Sequence, residues 1–404
     1  MDQKRKINLL ILVASLGYFV DIFDLVLFNV VKLESFKSLG LNELQIKAAE
    51  ISLFNFQMTG MLLGGLVWGI LGDKMGRVSA LFGSILIYSL ANIANAFVVT
   101  TEWYSVWRFI AGFGLAGELG AGITLVSEVM KKEERGIGTL IIVSVGALGA
   151  VGASIAGTYL SWQNAYILGG VMGILLLFLR MGTLESGMFQ KIDKKHDISK
   201  GNFFKIFSTP RSAWKYISCI LVGLPIWYTI GVLINLSNRY AASFGMSEKI
   251  NVGESVMYCY IGLSAGDFIC GYLSQAMKSR KKVIAIYLTL LLGVTIFYHF
   301  HKSTDPGYFR WMSFAIGVFS GYWALFVINA AEQFGTNIRS TVANTVPNFV
   351  RFCVVPVTLS FSALSEIWSL TSAGLFVGIV CITLAFIALI SLKETFHKDL
   401  DYVE

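Results

Sequence analysis

The chain has 404 residues, of which 55% are hydrophobic and only 14% are charged, whereas roughly a quarter of the residues in an ordinary soluble domain are charged. So much apolar surface cannot be hidden in a soluble core, and no constellation of residues indicates an enzyme. The net charge of +7 is explained by the loop residues described below, so it gives no reason to expect a nucleic-acid partner.

Continuous apolar runs define the predicted elements. A helix needs about 20 apolar residues to cross a bilayer, and twelve such runs can be placed, at residues 7–31, 52–71, 78–99, 104–129, 137–160, 163–181, 215–238, 254–276, 282–299, 309–331, 341–365 and 370–392. The runs do not alternate with polar residues, which excludes a membrane β-barrel. The sequence therefore predicts an all-α membrane protein with twelve transmembrane helices.

The polar, Lys-rich segment at 182–214 divides these spans into two sets of six. We expect an N-terminal six-helix bundle at 1–181, a cytoplasmic linker at 182–214 and a C-terminal six-helix bundle at 215–404. With the N-terminus inside, 23 Lys and Arg residues fall in cytoplasmic segments and 7 in outer loops. Because positive charge concentrates on the cytoplasmic side, both termini are expected in the cytoplasm, most simply at a bacterial inner membrane.

Two short patterns recur about half a chain apart. Glu128 and Arg135, seven residues apart, reappear as Glu332 and Arg339 at an offset of 204, and the segment at 69–72 reappears at 271–274 at an offset of 202. This repetition predicts one six-helix unit duplicated, in which both halves share a topology. In such bundles a substrate is bound near mid-membrane and exposed alternately to either side.

The segment Gly69-Ile70-Leu71-Gly72-Asp73-Lys74-Met75-Gly76-Arg77 resembles the G-x-L-x-D-x-x-G-R signature of the major facilitator superfamily. The resemblance implies that a cytoplasmic charge network holds one state of the transport cycle; its gating residues would be Asp73, Arg77, Glu128, Arg135, Glu332 and Arg339. The alternative is a plain topology anchor. The second copy has Gln275 where Asp73 would repeat, so its network should be weaker.

Three further segments are similar to particular branches of this superfamily. The run from Gly17 to Asp24 resembles the first span of aromatic acid:proton symporters and metabolite:proton symporters. The run from Arg108 to Glu118 resembles the R-[FL]-x-x-G-x-x-x-G-G-E of the metabolite group. The run from Asn348 to Arg351 resembles the eleventh-span arginine of aromatic acid and organic anion carriers.

Charges inside a bilayer cost several kcal/mol and normally face a partner or a cavity. Asp21, Asp24 and Glu118 are therefore candidates for proton coupling, with a static Asp–Arg pair as the alternative. Arg351 could grip an anionic group of a substrate through its planar fork, or it could form an ion pair with Asp267. The two states could also alternate, with the substrate competing against Asp267.

Aromatic and polar side chains at mid-depth could line a pocket for an organic substrate, although each alone could equally be packing. The candidate substrate-binding residues are Arg351, Arg108, Phe23, Trp227, Tyr228, Tyr322, Trp323 and Asn235. The five cysteines fall in apolar spans, and the four histidines form no cluster, so neither a metal site nor a cofactor is expected.

These observations favour a proton-coupled secondary active transporter that imports a small organic anion by alternating access, and an enzyme is not expected because no catalytic constellation appears.

 A carboxylate-bearing metabolite is the expected substrate, the proton gradient supplies the energy, and the protein is expected to work as a monomer in the lipid bilayer. The first alternative is proton-driven export of an organic anion, siderophore or drug. A nutrient sensor that signals without transporting is a further alternative, but such sensors usually carry long cytoplasmic extensions, and the tails and central segment here are short.

Overall fold

The structure, a computed structural model, describes residues 3–120, 122, 130, 135–180, 203–247 and 250–396. The described chain is helical. Its first part contains α1 (Gln3–Ser38), α2 (Glu43–Met75), α3 (Arg77–Asn95), α4 (Thr101–Leu115), α5 (Arg135–Ala147), α6 (Gly149–Tyr159) and α7 (Trp162–Arg180). The second part contains α8 (Pro210–Tyr228), a π-helical segment (Thr229–Ile234), α9 (Ser237–Ser243), α10 (Val252–Ala276), α11 (Arg280–Phe300), α12 (Pro306–Ser320), α13 (Trp323–Glu332), α14 (Arg339–Phe352), α15 (Val354–Ile367) and α16 (Leu370–Ser391).

Eleven helical stretches in the described residues are long and apolar enough to cross a membrane. Each coincides with one of the twelve predicted spans. The remaining span, at 104–129, begins with α4 but continues into residues outside the described ranges. The predicted fold class, an all-α membrane protein, is therefore confirmed.

Local sequence signals begin and end several of these helices. Gly40, at φ +77°, ends the connection after α1, because a residue with a side chain rarely adopts that conformation. Asn42 and Gln45 then exchange hydrogen bonds of 2.9 Å at the start of α2, forming a capping box that satisfies two backbone donors. Pro210 and Pro306 each occupy a first helical turn, where the missing N–H costs nothing.

The chain divides into two compact units. Unit 1 comprises Met1–Ile206, Phe334–Phe352 and Asp399–Glu404, and unit 2 comprises Phe207–Gln333 and Cys353–Lys398. The predicted boundaries at 181 and 215 stay predictions, but α14 groups with unit 1 rather than with the C-terminal bundle. The cause is close packing on α2, where Gly65 lies against Asn348 and Gly69 lies against the backbone of Thr341.

The two units repeat one packing scheme. In unit 1, α2 packs on α4, with Gly64 against the carbonyl of Phe113 and Gly112 against the carbonyl of Gln57. In unit 2, α10 packs on α12 in the same way, with Gly266 against Val318 and Gly317 against Cys259. From Gly64 to Gly266 the offset is 202 and from Gly112 to Gly317 it is 205, which agrees with the predicted duplication.

Two membrane spans of unit 2 are interrupted, which the apolar runs do not predict. After Pro225, the backbone widens into the π-helical segment Thr229–Ile234. Between α12 and α13, the chain leaves the helix at Gly321, where a β-carbon would come within 2.6 Å of the backbone of Gly266 and Asp267. Such interruptions at membrane depth are tolerated where the freed backbone groups find other partners.

Candidate functional site

Unit 1 contains a set of fully buried charges. The carboxylates are Asp21, Asp24 and Glu118, and the guanidinium groups are Arg108, Arg180 and Arg351, all with 2% or less of their surface exposed. Arg108 lies on α4, Arg180 ends α7, and Arg351 belongs to α14 in unit 1.

Asp24 and Arg108 occupy one end of this set. The Arg108 guanidinium lies 5.3 Å from the centre of the Phe28 ring and 5.7 Å from that of Tyr166, a geometry that stabilises a cation. Among the described residues, neither the guanidinium nor the Asp24 carboxylate has a hydrogen-bond partner. Asp24 lies against Gly169 of α7, one turn from Tyr166, so the two charges share a region lined by α1, α4 and α7.

Glu118 and Arg180 form an ion pair at the other end of the set. Arg180 reaches Glu118 from the last residue of α7, and the pair lies directly against Gly17 of α1. Any side chain at position 17 would overlap both charged groups. Glu118 is therefore paired, although its second carboxylate oxygen has no hydrogen-bond partner among the described residues. Arg180 is a site residue that the sequence reasoning missed, since its position at a span end looked like a topology signal.

Arg351 lies between these two ends. Its guanidinium is 3.7 Å from Asp21 Oδ2 and donates a 3.2 Å hydrogen bond to Asn348 Oδ1. Asn348 in turn donates to the backbone carbonyl of Ala116, at 2.9 Å. Arg351 is thus held by groups on α1 and α14, and the contact with Asp21 is longer than a hydrogen bond.

Asp267 has a different role within unit 2 from the one expected. Its Oδ1 accepts a 2.9 Å hydrogen bond from the backbone N–H of Ala324, in the first turn of α13. A carboxylate at this place satisfies a free backbone donor and complements the positive end of the helix. The ion pair with Arg351 would join the two units and stays a prediction.

The aromatic candidates fall into two groups. Tyr228 and Tyr322 donate their hydroxyl protons to the backbone carbonyls of Gly374 and Val222, at 2.8 and 3.0 Å, so they hold helices together. Trp227 and Trp323 pack edge to face with ring centres 6.4 Å apart, and the indole N–H of Trp227 has no acceptor among the described residues. Trp227 is therefore the better candidate for a polar substrate contact.

Two other substrate candidates have clear positions. Phe23 is buried against Gly149 and Gly169, inside the helices of unit 1. Asn235 follows the π-helical segment and is partly exposed. Their roles in substrate binding stay predictions.

One of the predicted gating residues has a well-defined contact. Asp73 Oδ2 accepts hydrogen bonds of 2.7 Å from both the backbone N–H and the hydroxyl of Thr341, in the first turn of α14. The side chains of Arg77 and Arg135 and the whole of Glu128 lie outside the described residues. Arg339 is buried and donates a 3.4 Å hydrogen bond to the carbonyl of Phe334.

The second-half network differs from the expected one. Glu332 pairs with Arg280 through hydrogen bonds of 3.2 and 3.4 Å, and it accepts a 2.7 Å hydrogen bond from the hydroxyl of Thr395. Glu394 accepts hydrogen bonds from the Ser279 hydroxyl and from the backbone of Arg280, at the start of α11. Glu394, after the last span, thus supplies an acidic group where Gln275 does not, and the expectation of a weaker network in the second half stays a prediction.

Hydrogen bonding affects the charge of Glu394. Partial burial alone would raise its pKa, but the donors at Ser279, Arg280, Phe396 and Lys281 outweigh that effect and lower the pKa below its usual value. Glu394 therefore stays ionised and caps the N-terminus of α11.

Comparison with known proteins defines the class. The family model for the Major Facilitator Superfamily matches residues 14–354, so the chain belongs to that family of transporters and is an integral, multi-pass membrane protein. The structure also superimposes on the proton:xylose symporter XylE bound to 6-bromo-6-deoxy-D-glucose, with a TM-score of 0.77 and 14% identity over 99% of this chain and 98% of that one. This likeness shows the fold.

Two curated relatives indicate the branch. The 3-(3-hydroxy-phenyl)propionate transporter of Escherichia coli is 33% identical over 304 residues, covering 72% of both chains. The niacin transporter NiaP of Acinetobacter baylyi is 33% identical over 147 residues, covering 34% of both. The chain is thus a major facilitator of the metabolite and aromatic acid branch, as the sequence motifs predicted.

Proposed function

We propose that the protein imports a small organic anion, with a carboxylate on or near a ring, together with a proton across a bacterial inner membrane. The observation that carries this proposal is the contact between Arg351 and Asp21, a permanent cation held loosely by a buried carboxylate. The relatives named for niacin and for 3-(3-hydroxy-phenyl)propionate support a ring-bearing carboxylate. The distribution of Lys and Arg supports cytoplasmic termini.

The proposed coupling follows from competition for Arg351. A substrate carboxylate can bind the guanidinium bidentately, and in doing so it displaces Asp21. A buried carboxylate without its counter-charge is more stable when it is protonated, so Asp21 takes up a proton as the anion binds. One monovalent anion and one proton then cross together with no net charge, and Arg351 returns to Asp21 after both have left.

The test uses purified protein in proteoliposomes with an imposed pH gradient, acidic outside. We expect labelled niacin or 3-(3-hydroxyphenyl)propionate to accumulate, and the accumulation to collapse when a protonophore removes the gradient. The variant Asp21→Asn should still exchange labelled substrate across the membrane but should not concentrate it. Accumulation of either anion that is unaffected by the protonophore would contradict proton coupling. Accumulation only when the pH gradient is reversed, with the acidic side inside, would favour proton-driven export.

A further inference from the structure

The two ends of the buried charge set in unit 1 are separated along the helices. Arg108 of α4 and Glu118, in the segment after α4, are ten residues apart, and on α7, Gly169, which contacts Asp24, is eleven residues before Arg180. At 1.5 Å per residue, these separations correspond to about 15 Å. On α1, Gly17, which contacts Glu118, and Asp24 are seven residues apart, or about 10 Å, so proton transfer between Asp24 and Glu118 needs an intermediate group.

Tyr88 of α3 lies between the two ends on both helices. Its backbone lies against Gly114 of α4, where a β-carbon would come within 2.6 Å of the Tyr88 nitrogen. Its ring lies against Gly173 of α7, where a β-carbon would come within 2.9 Å of the ring. Gly114 falls between Arg108 and Glu118, and Gly173 falls between Gly169 and Arg180, so both contacts place the ring midway.

The hydroxyl of Tyr88 is fully buried and has no hydrogen-bond partner among the described residues. A buried hydroxyl without a partner costs stability, so its presence needs a reason. The charged groups that act on it are Glu118, Asp24, Arg180 and Asp21, which belong to α1, to α7 and to the segment after α4. The ring contact with Gly173, four residues after the Asp24 contact at Gly169, places the hydroxyl in the region between the two carboxylate sites.

Packing alone does not require this hydroxyl. Arg77 begins α3 and Arg280 begins α11, an offset of 203, and the residue at that offset from Tyr88 is Leu291. Leu291 is also fully buried. The repeated scaffold thus accepts an apolar side chain at this position in unit 2, which lacks the carboxylates.

We infer that Tyr88 relays protons between Asp24 and Glu118 on their way to and from Asp21, an inference that rests on the proposed proton coupling. In the transfer step, protonated Asp24 gives its proton to the Tyr88 oxygen while the Tyr88 hydroxyl proton passes to the Glu118 carboxylate. Tyr88 ends as a neutral phenol, Asp24 as a carboxylate and Glu118 as a carboxylic acid, so charge and protons balance. Movement of the acidic side chains brings both carboxylates to the hydroxyl for this transfer.

Asp21 is the competing route, since it lies on α1 between Gly17, which contacts Glu118, and Asp24. In this structure, however, Asp21 faces Arg351, which favours its charged form and makes it a poor proton carrier until substrate binds. Tyr88 is neutral and has no such restriction, but Glu118 is paired with Arg180, so the transfer takes place when that pair opens.

The experiment compares Tyr88→Phe with Tyr298→Phe in proteoliposomes. Tyr298 is also buried, and its hydroxyl makes only a 3.5 Å contact with the carbonyl of Leu233 in unit 2, so its variant controls for loss of a buried hydroxyl. Proton uptake is followed with an internal pH dye after addition of niacin or 3-(3-hydroxyphenyl)propionate. Exchange of labelled substrate, which needs no net proton movement, is measured in parallel.

We expect Tyr88→Phe to slow substrate-driven proton uptake at least tenfold and to abolish its slowing in D2O, while substrate exchange and melting temperature match those of Tyr298→Phe. The variant Tyr88→His, which restores a proton-carrying group, should recover part of the proton uptake. Unchanged proton uptake in Tyr88→Phe would overturn the relay and leave Asp21 as the route. An equal loss of exchange and proton uptake would also overturn it, by showing a structural role. If the unaltered protein takes up no protons with either anion, the proposed coupling fails and the relay fails with it.

Discussion

The two units use the same glycine positions for different purposes. On α7 of unit 1, Gly169 lies against the Asp24 carboxylate and Gly173 lies against the Tyr88 ring; on α16 of unit 2, Gly374 and Gly378 lie against the hydroxyls of Tyr240 and Tyr228. Both pairs of glycines are related by an offset of 205. A shared scaffold therefore holds charges in one unit and neutral hydroxyls in the other.

Helix α4 of unit 1 and the corresponding part of unit 2, α12 and α13, show the same divergence. At the offset of 205 that relates Gly112 to Gly317, Arg108 and Glu118 of unit 1 correspond to Ser313 and Trp323 of unit 2. Conversely, Asp267 stands at an offset of 202 from Gly65, and it caps the half-helix α13. The lesson is that duplication preserved the helix contacts, while the buried charges, which are costly in a membrane, are concentrated where the proposed proton and anion chemistry takes place.

The largest expected effect comes from breaking the Glu118–Arg180 pair. Glu118→Gln removes the carboxylate that pairs with the buried Arg180, and removing one member of a buried pair costs about 3–5 kcal/mol. We expect a clear fall in melting temperature in detergent, and a partial recovery in the double variant Glu118→Gln, Arg180→Met. Asp267→Asn is the matched change in unit 2, and it should cost much less because an amide oxygen still accepts the Ala324 N–H. Equal losses in both units would contradict this contrast.

The second prediction concerns the anion anchor. Arg351→Lys keeps the charge but loses the planar fork, so binding of the transported anion should weaken roughly tenfold, equivalent to about 1.4 kcal/mol; Arg351→Gln should weaken it further. Affinity is measured by substrate-induced shifts of the melting temperature. If Arg351 serves only as a structural partner, a double neutralisation with Asp21→Asn or with Asp267→Asn should restore unchanged affinity and uptake.

Much of the fold could be predicted because apolar length and loop charge are one-dimensional signals. The buried acids Asp21, Asp24 and Glu118 could be identified for the same reason. Arg180 could not, since a positive residue at a span end looks like a topology signal until its side chain is seen to turn inward onto Glu118. Tyr88 and Glu394 depend on contacts between residues distant in sequence, and a single sequence contains no signal for these.

The third prediction concerns the cap that Asp73 forms at the N-terminus of α14 in unit 1. Asp73→Asn removes the charge at the N-terminus of α14 but keeps an oxygen for the Thr341 donors, so the state with α14 bound to α2 should lose about 1 kcal/mol. Spin labels or fluorophores on α2 and α14 would report a several-fold shift in the populations of states, with slower transport. Lys74→Gln, an exposed neighbouring change, is the control and should shift neither. A population unchanged by Asp73→Asn would return the motif to a topology anchor.

The smallest expected effect is a pH dependence of stability from Glu394 in unit 2. Hydrogen bonds from Ser279, Arg280, Phe396 and Lys281 outweigh the opposing effect of burial and hold the pKa of Glu394 below its usual value, which is about 4.3 in an unfolded chain. Because the folded pKa is the lower one, the stabilisation is fully present above about pH 4.3 and is lost as the pH falls through the folded pKa. The cap is partly exposed, so we expect it to contribute less than about 1 kcal/mol.

Melting curves of the unaltered protein and of Glu394→Gln should therefore differ slightly at pH 7 and converge in acid. The variant Glu366→Gln, an exposed change near the end of α15, should leave the curve as it is. A difference that persists at low pH would mean that Glu394 stabilises unit 2 through packing and not through its charge.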